Sequence, residues 1–342
     1  MDAASTCCCS TFGLGGDATP LPHLAANVSP TQTAFLLQTY KERVDPFIKV
    51  LAEDSLKWLC NSWRTPLADL SLAQVALRAS VLFAAIASLT ASEVRDAFGR
   101  RKDTLLIEMR TNAERSLANA KYLSTQDLAA LEALVIYAST LPYANMQDMA
   151  GPVAASTVQV AVQHGLHIES KRQKHQDKYI RGLIWLQICF LSSRFQAADA
   201  AVSTWPLGSG HVTECCERLY PSDKDQSLLL YTRHSIWYLS RQLRETRRKG
   251  VTADAKSLVE ATKTEVEREH ERQLLLSKTP FAEFVQKLAQ LFFSKIEHAL
   301  LVQQWQLANS GILSGPQAAP PTAATLCDAS MTMLEAWYCR RG

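Results

Sequence analysis

At 342 residues the chain can hold one large or two ordinary domains and bury a sizeable core. Its 47% hydrophobic and 20% charged residues are the balance of a soluble globular protein, not of a wholly disordered one. A formal net charge of +3 is too small to argue for a face that binds nucleic acid directly. The most apolar run, residues 75–89, is shorter than the ~20 residues a bilayer crossing needs, and Arg78 interrupts it, so no membrane span is expected. Nine cysteines occur, with Cys7, Cys8 and Cys9 adjacent, yet no C-x-x-C pair, so spacing offers no zinc site. The odd count and the lack of a signal-peptide pattern point to reduced thiols.

Residues 1–28 hold three cysteines, Pro20 and Pro22 and are expected to be disordered. Order begins at SPTQTAFLLQTYKERVDPFIKVLAE, where Ser29 can cap a helix, Pro30 can take its first position and Pro46 forces a bend. SLAQVALRASVLFAAIASLTASEVRDAF reads as one long apolar helix. In the next, Leu105, Met109, Ala113, Ser116, Leu117 and Ala120 form a narrow face opposite charges. Ser124 and Asp127 have capping-box spacing before a stripe of Leu128, Leu131, Leu134, Val135 and Ala138. MAGPVAASTVQVAVQHGLHIES is a helix that Gly165 can end in a left-handed cap.

IRGLIWLQICFLSSRF, residues 180–195, is apolar nearly all round and reads as the central helix of the fold. A loop with Trp205, Pro206 and Pro221 follows, then a helix over 228–249 that ends in Arg244, Arg247, Arg248 and Lys249. TADAKSLVEATKTEVEREHERQ is so charged that it reads as an exposed helix at most. Phe281, Phe284, Val285, Leu288, Phe292 and Ile296 mark a last long amphipathic helix. Residues 309–325 read as a flexible linker and 326–342 as a short closing helix. No alternating strand pattern survives, so the fold class is all-α, with a single multi-helix domain over residues 29–308.

Candidate site residues are few. His164 and His167 flank Gly165-Leu166 and offer an acid, base or ligand pair, with helix capping as the structural alternative. Trp185, Cys189 and Arg194 lie along the central helix, and Arg194 at its end suits bidentate binding of a carboxylate or phosphate. A buried Arg194 paired with Asp199 or Glu214 is the alternative. Asp223 and Asp225 read as a solvated turn rather than a metal site. The cations from Arg244 to Lys249 read equally as a nuclear import signal or a solvated helix end. Without a P-loop, G-x-G-x-x-G or G-x-S-x-G, no cofactor is implied.

Several segments together resemble the regulatory middle homology region of fungal Zn2Cys6 transcription factors. They are YKERVDPFIKVLAED, LFAAIASLTASEVRDAFGRRKDTLL, LAALEALVIYAS, VQVAVQHGLHIES, IRGLIWLQICFLSSRFQ and RLYPSDKD, in the family's order. The resemblance covers roughly residues 29–230. It departs at Ser192, where the family usually has an acid, and at Cys7 to Cys9, which do not reproduce the six-cysteine zinc cluster. It therefore implies a regulatory-type domain without its own DNA reader, shortened at the C-terminal end. Two functions follow as expectations. One is a nuclear transcriptional regulator linked to a secondary-metabolite gene cluster, acting through a DNA-binding partner protein or a homo- or heterodimer. The other is a repurposed, cytoplasmic ligand-binding domain that holds a hydrophobic terpenoid or polyketide for a cofactor-independent cyclisation of the Diels–Alder type, by shape and one or two hydrogen bonds.

Overall fold

The computed structural model describes residues 28–167, 175–195, 224–248, 253–276 and 279–309. Eleven α-helices and no strand occur among them, so the all-α expectation holds. In chain order they are α1 Pro30–Thr39, α2 Glu53–Asn61, α3 Leu72–Ser88, α4 Ala91–Phe98, α5 Lys102–Asn119 and α6 Leu128–Thr140. After them come α7 Gln147–Gln163, α8 His175–Phe195, α9 Lys224–Arg248, α10 Ala253–Leu276 and α11 Pro280–Asn309. None of the described helices is long and apolar enough to cross a membrane. The chain divides into two compact units, Met1–Trp205 and Pro206–Gly342.

In the N-terminal unit α3 packs on α1, α5 and α6, and α6 packs in turn on α7 and α8. Every residue of α6 from Ala130 to Thr140 is buried, not only the expected stripe. With α3 against it on one side and α7 and α8 also on it, no face is left for water. The helix buried all round at the heart of this unit is thus α6 rather than the expected α8, although α8 is itself buried at Leu183, Ile184, Trp185, Ile188, Cys189 and Leu191. Three polar side chains of α6 have hydrogen-bond partners. Thr140 Oγ1 donates to the Ile136 carbonyl at 2.8 Å, Tyr137 Oη donates to Glu114 Oε1 at 2.6 Å, and Ser139 Oγ accepts from Gln187 Nε2 of α8 at 3.0 Å.

Local signals set the helix ends. Ser29 caps α1 with Gln32 returning the bond, and Pro30 takes the first position, as the sequence implies. Ser71 and Gln74 repeat the box at α3. The expected long helix over residues 71–98 is instead two, because Thr90 and Glu93 form a third box that starts α4. Leu89 there is extended (φ −77°, ψ 152°), and Lys102 Nζ caps the freed end of α3 by donating to the Ala87 carbonyl at 3.0 Å and to that of Leu89. Gly99 ends α4 at φ +64°, a conformation other residues rarely adopt. Asp127 is itself the cap of α6, its Oδ1 accepting from the Ala129 N–H at 2.9 Å, so the Ser124–Asp127 box does not form.

Two charges that interrupt apolar stretches find partners. Arg78 donates to the Ser62 carbonyl at 3.2 Å. Lys49 and Asp45 form a buried ion pair at the bend around Pro46, where α1 has passed into a π-helical stretch, Tyr40–Val44.

The C-terminal unit is a three-helix arrangement in which α9, α10 and α11 each pack on the other two. Ile236, Leu239, Val259, Val266, Ala289 and Phe293 make one buried cluster, and Leu228, Leu229, Ala282 and Val285 another. The expectation that α10 is merely an exposed charged helix is corrected here. Val259, Val266 and His270 share one helical face and are 1% exposed, enough to seat the helix despite its charged remainder.

Candidate functional site

The sequence candidates gather where α7 ends and α8 runs past it. Helix α7 finishes at His164, and Gly165 at φ +66° turns the chain in the left-handed cap its sequence implies. The Leu166 N–H returns to the Ala161 carbonyl at 3.0 Å and that of Gly165 to Val162 at 2.8 Å. Arg181 of α8 then donates from Nη2 to the His164 carbonyl, one of the groups the helix end leaves unpaired. A cation at this end also meets the negative pole of the α7 dipole. A Cβ at position 165 would make only an ordinary contact, 3.9 Å from Arg181 Nη2, so the positive φ rather than crowding favours glycine there.

His164 is 8% exposed. Burial lowers its pKa, opposed by a hydrogen bond with the Thr125 backbone and reinforced by the Arg181 charge. It is therefore a neutral imidazole at physiological pH, and its Nε2 has no hydrogen-bond partner among the described residues. The residue links three parts of the unit: its ring meets the Thr125 backbone in the segment leading into α6, and its carbonyl at the end of α7 accepts from Arg181 of α8. His167 is half-buried on the turn that follows, three residues further on.

On α8, Trp185 and Cys189 are one turn apart, 3% and 1% exposed, the latter a thiol outside any disulfide among the described residues. Between them Gln187 reaches α6 through Ser139. Ser192, the position that departs from the resemblance, is 2% exposed. Arg194 lies within the helical span of α8, but its side chain falls outside the described residues, as do Asp199, Glu214 and Asp223. Of the candidate set, then, the structure places His164 and His167 at one cap and Trp185 and Cys189 in the packing between helices.

Two buried ionisable groups were not singled out by sequence. Glu132, on α6, is 4% exposed and its carboxyl is pushed up to about 8 by burial, with Asp127 adding a like charge. A Glu seven residues before Ser139 on an otherwise apolar stripe was the signal available. His270 of α10 is 1% exposed, bonded to Thr232 Oγ1 of α9 at 2.7 Å, and pushed down to about 4 by burial. Its signal was its spacing from Val259 and Val266.

What this geometry can do chemically is limited. At neutral pH the cap offers a neutral imidazole and a guanidinium already engaged, a set suited to fixing helix positions rather than to proton transfer on a substrate.

Comparison with known proteins supplies the context. No family model matches the chain, and no solved structure matches it. Among curated proteins it is 27% identical over 199 residues to the C6 finger domain transcription factor adaR of Aspergillus niger, covering 58% of this chain and 26% of that one. It is 27% identical over 199 residues to the C6 finger domain transcription factor nscR of Aspergillus fumigatus, covering 56% and 26%. The transcription factor vrtR2 of Penicillium aethiopicum is 25% identical over 217 residues, 59% and 26%. The matched region thus spans about a quarter of the length of these relatives. Over rather more than half of its own length, this chain is a homologue of fungal C6 finger transcription factors.

Proposed function

We propose that the chain is a transcriptional regulator acting in the nucleus on a secondary-metabolite gene cluster, through a DNA-binding partner protein or through dimer contacts with a second regulator. The observation that carries this reading is the similarity to several separate C6 finger transcription factors over the same share of their length. One further relative, from Gibberella zeae, is by name the aurofusarin cluster transcription factor aurR2, 26% identical over 162 residues, which supports the link to a gene cluster.

The alternative of a cyclase on a terpenoid or polyketide has less behind it. None of the relatives named above is an enzyme by name, and Trp185 and Cys189, the expected cavity wall, are packed among neighbouring helices. A tethering assay tests the regulator directly. The chain fused to a heterologous DNA-binding domain is expected to raise or lower a reporter carrying that domain's sites, relative to the domain alone. A fusion that accumulates in the nucleus and leaves the reporter unchanged contradicts the proposal.

A further inference from the structure

In the N-terminal unit Met146 is held against a cation. Its Sδ accepts from Nη1 of Arg110, on α5, at 3.2 Å. A thioether is a weak acceptor for a guanidinium, whose donors call for oxygen. Arg110 is poorly served elsewhere. Its Nε is buried, makes no hydrogen bond to any described residue, and lies 3.6 Å from Glu114 Oε1. That oxygen already accepts from Tyr137 Oη at 2.6 Å. A guanidinium only 25% exposed is thus left with donors that a stronger acceptor can use. Met146 also holds the N-cap position of α7, where a side-chain oxygen normally accepts from the free N–H groups and none does so here. Its backbone is fixed, its N–H donating to the Leu141 carbonyl at 3.0 Å. The side chain is only half-buried, so small solutes reach it.

We propose that Met146 is a reversible oxidation site, at which hydrogen peroxide converts the thioether into a sulfoxide whose oxygen is bound by Arg110. A sulfur lone pair attacks one peroxide oxygen, forming the S–O bond as the O–O bond breaks. Sulfur gives up two electrons to the peroxide. The proton of the transferred hydroxyl joins the departing hydroxide, which leaves as water. Oxidation of a methionine usually disrupts packing by placing a polar oxygen where nothing donates to it. At Met146 the donor is already in place, and a charge-assisted hydrogen bond replaces a weak one. The flexible ends of both side chains make room for the added atom. The oxidised form therefore ties α5 more firmly to the start of α7. Among the other methionines, Met109 is 4% exposed and shielded, whereas Met149, on the first turn of α7, is half-buried and serves as an internal reference. The proposal does not depend on the regulator reading.

The full chain and its Met146→Leu variant are treated in parallel with hydrogen peroxide, at an exposure that fully oxidises free methionine. Tandem mass spectrometry then locates the added oxygen on Met146 or Met149, and amide exchange is followed at residues 147–151. Met146 is expected to carry the oxygen in the folded chain, with exchange at the start of α7 slowed about fivefold. Methionine sulfoxide reductase is expected to restore the original rate. Oxidised Met146→Leu is expected to show no slowing, and oxidised Arg110→Gln to carry the oxygen without slowing. A Met146 left unoxidised, or an oxidised wild-type chain whose exchange is unchanged or faster, overturns the proposal without reliance on any variant. Equal slowing in Met146→Leu overturns it as well. Equal slowing in a folded Arg110→Gln overturns the part assigned to Arg110.

Discussion

Glu132 of the N-terminal unit and His270 of the C-terminal unit are buried ionisable groups of opposite kind. In the N-terminal unit Glu132 sits on α6, the most enclosed helix, and is pushed up to about 8. In the C-terminal unit His270 sits between polar helices and is pushed down to about 4. Both groups are neutral at mid-range pH for the same reason, because burial disfavours the charged form. Their consequences for stability run in opposite directions. The folded pKa of Glu132 lies above its ordinary value of 4.5, so its contribution is whole below that pH and is lost as pH rises toward 8. The folded pKa of His270 lies below its ordinary 6.5, so its contribution is whole above 6.5 and is lost as pH falls toward 4. Glu132 thus weakens its unit in base and His270 weakens its own in acid.

The comparison can be broken most severely at the apolar core of the N-terminal unit. Leu134→Ala removes a fully buried side chain from α6 and is expected to cost about 2–5 kcal/mol. Urea unfolding should show it, with hydrogen exchange placing the loss in residues 128–140. Next in size is Glu132→Gln, expected to stabilise by about 2–3 kcal/mol at pH 8 and hardly at all at pH 5. A variant equally stabilised at both values would show that Glu132 does not titrate within the folded unit.

The C-terminal unit should respond in the other direction. Lowering the pH from 6.5 to 4 is expected to remove stability on the order of 2 kcal/mol, discounted because the ring borders a cleft. His270→Gln should flatten that dependence, as read by amide exchange in α9 and α10. The smallest effect sharpens a local point. Thr90→Ala removes the cap that starts α4 and is expected to cost about 1 kcal/mol, detectable in a denaturant melt.

Much of the fold was legible in the sequence because helices declare themselves by period and by caps. Ser29-Pro30 and Gly165 behave as their residue types require. Two helix boundaries were missed for the same physical reason in reverse. The T-x-x-E of Thr90 and Glu93 lies inside a run whose apolar period hardly breaks, and periodicity outweighed the cap. At α6, Asp127 lay within a larger expected box, although a single Asp side chain is enough.

Which helix sits deepest was less legible. Both α6 and α8 are apolar on several sides, and only the three-dimensional arrangement decides that α3, α7 and α8 all meet α6. The candidate site was legible in part. His164 was visible from its glycine, but its partner Arg181 is seventeen residues away and joins it only through folding. The contact of Arg110 with Met146 was not legible, since it joins residues thirty-six positions apart.

The central claim, that this homologue of C6 finger transcription factors regulates transcription, is tested most directly by measuring transcripts genome-wide in a strain lacking the gene. The expected result is a change confined to a restricted set of genes, a biosynthetic cluster among them, restored when the intact chain is reintroduced. A transcript profile identical to that of the parent strain, under conditions where the parent expresses the protein, would contradict it.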